Sequence, residues 1–444
     1  MAAIFVHLSD IHFGQEKRVG DLIVNKDARH KLIQDASAVI AGLPGKKAAG
    51  VIVTGDIAYA GKRHEYDDAG NWLDELTESI GCTAADIQMV PGNHDVDRST
   101  IKGMSELVLN AIHDGGEARL DSFLELESDR DLLYVRFAEY RRFADAYQCP
   151  LDCDGKNTAE RRVELRPGRA IRFVRLNSAL ICTKDREEYG KLLLGARQRV
   201  LTDSIGEELV VLAHHPLAWY SDAADMTKFL RGRARVFISG HEHLAAVNIQ
   251  NVEPGRDLMM LAAGATTPDK LDGTYTYAYN IIEFDWDEAE DALAVTLHAR
   301  AWNDEMKRFE CDDKRLGGKD SRIVLGSPNF LMAPKPAVPF ASVPIDSSRV
   351  EIIQPPKKVT VVGKVDESAY QNIYLRFFRD LAEGERLRIF FELNALPSEI
   401  SGRLNHEMEG KFLRSIVDAN RFEELQEKVE YALERRETLR EEHE

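Results

Sequence analysis

Five short apolar runs, each ended by a cluster of Asp, Asn or His, constrain this chain more than any bulk property. Leu8 leads into Ser9-Asp10-Ile11-His12, and Val53 into Thr54-Gly55-Asp56. Val90 leads into Pro91-Gly92-Asn93-His94-Asp95, Leu212 into Ala213-His214-His215-Pro216, and Ile238 into Ser239-Gly240-His241-Glu242-His243. Runs of this length fit buried strands, and helical patterns at 27–41 and 65–79 separate some of them. Such alternation predicts a layered α/β domain. Ligands of open α/β sheets bind outside the carboxyl ends of strands, so the five polar ends are expected to converge.

The side chains gathered there are Asp10, His12, Asp56, Asn93, His214, His241 and His243. They are nitrogen and oxygen donors with no thiolate, a set that suits Mn, Fe, Zn or Ni. They are too many for one ion. They fit two divalent ions about 3.5–4 Å apart that share a carboxylate, as in two-metal hydrolytic sites.

Other runs extend the pattern. Residues 171–176 and 258–262 read as further strands, 163–172 as an edge hairpin, and 281–285 with 293–302 as a hairpin that closes the domain. Residues 100–147 are helical in pattern and read as an inserted cap. The metal-binding domain is expected over 1–311, a Pro-rich linker over 312–362, and a helical bundle over 363–444. In the bundle, Tyr370, Ile373, Tyr374, Phe377, Phe378 and Leu381 share one helical face. Gly384 is expected to end that helix, with others at 387–393 and 422–440 and Ser398 as an N-cap between them.

With 444 residues, one to three domains are expected. The net charge of −17 disfavours sequence-independent wrapping of nucleic acid over the whole surface. It leaves room for a local basic groove, for which Arg161/Arg162/Arg166/Arg169/Arg172/Arg175 and Arg231/Arg233/Arg235 are candidates. Met1-Ala2-Ala3 runs straight into an apolar strand, without a basic leader, and no run is long enough to span a membrane. Five scattered cysteines fit a reducing compartment. The expected location is cytoplasmic, with no membrane association.

Taken in order, Asp10-Ile11-His12, Gly55-Asp56, Gly92-Asn93-His94-Asp95, His214-His215-Pro216 and Gly240-His241-Glu242-His243 resemble the motif series of the calcineurin-like metallophosphoesterases. The resemblance covers about residues 1–300, with no element missing. It implies a four-layer αββα sandwich with the helical cap insert, plus the small C-terminal α-helical domain. It implies that Asp10, His12 and His243 hold one metal, that Asn93, His214 and His241 hold the other, and that Asp56 bridges them. Manganese is the favoured ion. Hydroxide from a metal-bound water would attack phosphorus in line, His94 would protonate the leaving oxygen, and Asp95 would orient His94.

The implied activity is hydrolysis of phosphodiesters, in cyclic or linear nucleotides or in nucleic acid; the family also contains phosphomonoesterases and protein phosphatases. Arg98, Tyr59 and His215 follow or flank the metal loops and are candidates for substrate contact. Glu242 is expected to point away from the metals, and His7 to be a core histidine. The tail is similar in length, helix order and terminal position to the helical adaptor modules of bacterial conflict and defence effectors. That similarity implies a protein partner for residues 363–444.

Overall fold

The runs that end in polar clusters are strands buried along most of their length. In the computed structural model, the described residues are 2–15, 22–159, 161–183, 189–268, 275–312, 321–334, 366–396 and 404–441. They divide into two units, Met1–Ala333 and Pro334–Glu444. In the first unit β1 (Ala3–Leu8), β2 (Gly50–Val53) and β3 (Ile87–Met89) lie parallel, with every residue buried. Parallel strands covered on both faces need no polar alternation, which is why they read as apolar runs interrupted only by His7 and Gln88.

The next six strands form a second sheet: β4 (Arg162–Arg166), β5 (Arg169–Arg175), β6 (Glu207–Leu212), β7 (Ala234–Ser239), β8 (Ala246–Glu253) and β9 (Arg256–Ala262). Their order is β4-β5-β6-β7-β9-β8, with antiparallel strands at both edges. The last four return to the first sheet: β10 (Ala278–Asp287), β11 (Ala292–Asn303), β12 (Arg308–Cys311) and β13 (Arg322–Leu325). That order is β12-β11-β10-β1-β2-β3, with β13 also paired to β11.

The two sheets meet through Phe5, Ile52, Phe173, Leu212, Ile238, Phe284 and Val295. Phe5 stands edge-on to Phe173 with ring centroids 5.2 Å apart. Helices cover the outer faces. On the first sheet, α1 (Leu22–Gly42) is fastened by Asp35, which accepts from the Tyr279 hydroxyl at 2.5 Å and the Arg300 guanidinium at 2.6 Å. Beside it runs α2 (Arg63–Ile80), ended by Gly81 in the left-handed region.

The insert supplies α3 (Met104–Glu125), α4 (Glu127–Tyr134) and α5 (Ala138–Ala146). Val108, Ile112, Leu124, Leu133 and Phe137 from this segment pack with Val174, Leu176, Val211 and Phe237 of the second sheet. Its helices therefore form an outer layer of the sandwich, completed by the short α6 (Ala196–Arg199) and by α7 (Ala223–Arg233) with Met226 and Leu230.

The boundary expected at residue 311 moves. β13 pairs with β11, and α8 (Pro328–Leu331) follows it, with Leu325 and Phe330 fully buried. Ile323-Val324-Leu325 is too short an apolar run to stand out beside Gly- and Pro-rich neighbours. Of the expected linker, 313–320 and 335–362 lie outside the described residues.

The arginine clusters do not form a basic groove. Arg161 pairs with Asp86, Arg162 and Arg172 with Glu207, and Arg169 with Asp291. Arg233 pairs with Asp203, and Arg235 is fully buried beside Glu208, with an Nε–Oε2 distance of 3.2 Å. Burial pushes the Glu208 carboxyl up to about 7 against the pull of Arg235. Removing one partner of such a buried pair strands the other. Arg235→Met is expected to lower unfolding stability by about 3–5 kcal/mol, read from urea melts. A carboxyl with a raised folded pKa loses stability as pH rises through that value. The deficit is thus expected to be larger at pH 8 than at pH 6, where Glu208 holds a proton; a pH-independent deficit would contradict this.

The second unit holds α9 (Glu367–Asp380), α10 (Glu383–Glu392), α11 (His406–Asp418) and α12 (Phe422–Glu441). Phe377, Phe378, Phe390, Leu413, Leu425 and Val429 are buried in it, and the Phe377 and Phe390 rings meet at a tilt with centroids 5.1 Å apart. Gly384 does not end the first helix. Leu381 does so in an extended conformation, and Gly384 sits in the first turn of α10. Asn405 caps α11 by accepting from the Met408 N–H, while Ser398 lies outside the described residues. Among the described residues no helix is long and apolar enough to cross a membrane.

Candidate metal centre

Each of the five polar clusters follows its strand into one region, and the backbone there is held in an unusual form. Asp10 (φ 53°), His12 (53°), Asp56 (54°), His241 (70°) and His243 (56°) all occupy the left-handed region. A non-glycine residue there costs about 1–3 kcal/mol and persists only where its surroundings fix it. Here they do. The Ile11 and His12 N–H groups both donate to the Asp56 carbonyl at 2.8 and 3.0 Å, and Gly240 N–H donates to the His214 carbonyl at 2.8 Å. Gly92 is required by proximity, since a Cβ there would lie 2.1 Å from Asp56 Oδ1.

The side chains converge. His243 Nε2 is 3.3 Å from Asp10 Oδ1, and His12 Nε2 is 3.9 Å from both Asp10 Oδ1 and Asp56 Oδ2. On the other side His214 Nε2 is 3.4 Å from Asp56 Oδ2, 3.0 Å from Asn93 Oδ1 and 3.2 Å from His241 Nδ1. Asp10, His12 and His243 form one cluster able to hold a cation, and Asp10, Asp56 and His214 another. His214 Nδ1–H donates to the Thr54 carbonyl at 2.7 Å, which fixes the tautomer and presents Nε2 to the cluster.

The donor set fits divalent metal on its own terms. Both ring nitrogens of buried His12 have no hydrogen-bond partner, an arrangement that burial penalises unless a cation satisfies it. Burial holds His12 down to about 4 and His241 down to about 3, so both offer lone pairs at neutral pH. Burial opposes ionisation of Asp56, but the His214 and His94 imidazoles hold it well below the carboxylate range. Burial also opposes a charge on His214, yet Asp56 lifts it to about 9, so a metal at Nε2 would displace a proton there.

His94 lines an open cavity of about 340 Å³ with Asp56, Asn93, His241, Glu242, His243 and Tyr275. Its Nδ1 lies 2.7 Å from the Tyr59 carbonyl, and its backbone N–H donates to Asp56 Oδ1 at 2.8 Å. A carbonyl only accepts, so Nδ1 carries a hydrogen and Nε2 remains for exchange with a ligand.

Five sequence expectations change here. Asp95 does not orient His94: its carboxylate accepts from the Ile57, Ala58 and Gly92 N–H groups and the Tyr66 hydroxyl. It braces the loops after β2 and β3, and the Tyr59 carbonyl takes the orienting role. His215 is fully buried, with Nδ1 at 2.9 Å from Ser178 Oγ, so packing keeps it from a substrate. Arg98 reaches back to the Asn93 carbonyl at 3.4 Å and does not line the cavity. Glu242 does line it, as does Tyr275, which no motif marked. No residue of the helical insert lines the cavity. His7, as expected, is buried and bonds Thr54 Oγ1 at 3.0 Å.

The family model for calcineurin-like phosphoesterases matches residues 4–245. The chain belongs to that family. A second family model, the GTPase-associated adaptor domain, matches residues 369–431 of this calcineurin-like phosphoesterase. Among curated proteins it is similar to the uncharacterised metallophosphoesterase-like protein YydB of Bacillus subtilis strain 168. The two are 22% identical over 344 residues, which is 74% of this chain and 65% of that relative. Among solved structures, purple acid phosphatase PPD1 from yellow lupin has a TM-score of 0.39 at 12% identity, over 77% of this chain and 57% of that one. A Vps29 mutant from Entamoeba histolytica has a TM-score of 0.31 at 10% identity, over 72% and 99%.

Proposed function

We propose that the protein is a metal-dependent phosphoesterase that hydrolyses phosphodiester bonds in nucleotides or nucleic acid. The observation that carries the diester reading is His94. It lines the cavity beside Asp56 with Nδ1 bonded to a backbone carbonyl, leaving Nε2 to meet a leaving oxygen. A sugar alkoxide is a poor leaving group, and a positioned proton donor is what its departure needs. The cavity of about 340 Å³ is of a size for a small phosphoester or one nucleotide of a longer strand.

In this reading Asp10, His12 and His243 would hold one ion, Asn93, His214 and His241 would hold the other, and Asp56 would serve both. Two bound divalent ions supply a nucleophile from water near neutral pH and neutralise the phosphate oxygens. The chain does the rest. The left-handed loops hold the donors in place, the Thr54 carbonyl fixes the His214 tautomer, and the Tyr59 carbonyl holds His94. In its imidazolium form His94 keeps Nδ1–H on the Tyr59 carbonyl and gives the Nε2 proton to the departing oxygen, which leaves the neutral imidazole.

A substrate panel with added Mn²⁺ tests this: cyclic mononucleotides, single- and double-stranded DNA, RNA, and a chromogenic monoester–diester pair. Hydrolysis of at least one diester, abolished by chelation, is expected; hydrolysis of the monoester alone contradicts it.

The match of 369–431 to an adaptor family supports a second role for the tail. We propose that residues 363–444 recruit a protein partner and leave the chemistry to the first unit. Truncation after Pro355 is then expected to keep hydrolysis of the chromogenic diester within about twofold, because the two units are separate clusters of contacts. Loss of that activity would mean that the tail completes the active site.

A further inference from the structure

A pocket that must accept an anion carries an anion in its wall. Glu242, an exposed residue, lines the cavity between His241 and His243, and its carboxylate has a well-packed neighbour. The Trp219 indole N–H donates to Glu242 Oε1 at 3.0 Å. Trp219 is itself fixed, edge-on to His241 with ring centroids 4.2 Å apart and 5.9 Å from the buried His215 ring. The carboxylate is thus tethered beside two of the candidate metal ligands.

The charge of the phosphate gives it a task. A phosphomonoester carries close to two negative charges above pH 7, because its second ionisation lies near pH 6; a diester carries one. A fixed negative group repels the first about twice as strongly as the second. We propose that Glu242, held by Trp219, selects singly charged phosphodiesters over doubly charged phosphomonoesters by repulsion at the cavity wall. This rests on the phosphodiesterase reading above. Glu242 is a specificity-determining residue in this account, and Trp219 is a positioning residue that acts through it.

The test uses the full-length, Mn²⁺-loaded protein with p-nitrophenyl phosphate and methyl p-nitrophenyl phosphate, which share a leaving group. Each unit of substrate charge should respond equally to loss of the carboxylate. Glu242→Gln is therefore expected to raise kcat/KM about threefold for the diester and about tenfold for the monoester. The gain should fall mainly on KM and shrink in high salt. Trp219→Phe keeps the ring and removes the donor, so it should move the ratio the same way by less. Calorimetric titration with inorganic phosphate and with dimethyl phosphate gives a readout without turnover. Glu242→Gln should tighten the first more than the second, with thermal melts confirming a folded variant. Equal factors for the two esters and the two anions, or no change in either, would overturn the proposal. If the wild-type protein hydrolyses neither ester, the reaction reading fails, and the two titrations still decide the charge selection.

Discussion

His94→Ala is expected to lower kcat by about 10²–10⁴-fold on diesters with an alkoxide leaving group, with both metals retained. The retention follows from the geometry. What reaches Asp56 Oδ1 from residue 94 is its backbone N–H, at 2.8 Å, and alanine keeps it. The loss follows from the imidazole, which lines the cavity with Nδ1 committed to the Tyr59 carbonyl. A diester whose leaving group is p-nitrophenolate needs little proton assistance, so its rate should fall far less. The contrast between the two leaving groups is the diagnostic. His12, Asp56 and His94 also form a cluster that could hold an ion. Loss of metal from His94→Ala would therefore make residue 94 a ligand and end its role as proton donor.

Asp56→Asn is expected to empty both metal positions. Asp56 Oδ2 stands 3.9 Å from His12 Nε2 and 3.4 Å from His214 Nε2, one from each candidate set. The substitution keeps the shape beside Gly92 and removes the charge. Loss of a group that merely supports a ligand costs roughly 10–100-fold in metal affinity, so loss of a shared ligand should exceed that at both positions. Metal content after equilibration with Mn²⁺ checks this, and two fully occupied ions in the variant would contradict a shared carboxylate.

The layered α/β architecture was legible because parallel strands buried on both faces leave unbroken apolar runs, such as residues 50–53 and 209–212. β8 was not, since most of its residues are exposed at a sheet edge. β13 was too short, and its partner β11 lies across a stretch with no pattern. At the site, the convergence of these side chains could be read from five strand ends, but the direction of their neighbours could not. Asp95 follows His94 in the chain yet turns to the Ile57, Ala58 and Gly92 N–H groups. Glu242 sits in the motif itself, but only the Trp219 contact shows that it is held at the cavity wall. The orienting Tyr59 carbonyl is a backbone atom, which no residue-type pattern can mark.

The most direct test of the two-metal account is an anomalous difference map, at the manganese edge, from crystals of the protein grown with Mn²⁺. The account predicts two peaks about 3.5–4 Å apart. One lies among Asp10, His12 and His243, the other among Asn93, His214 and His241, with an Asp56 oxygen between them. A single peak, or peaks away from these side chains, would contradict it.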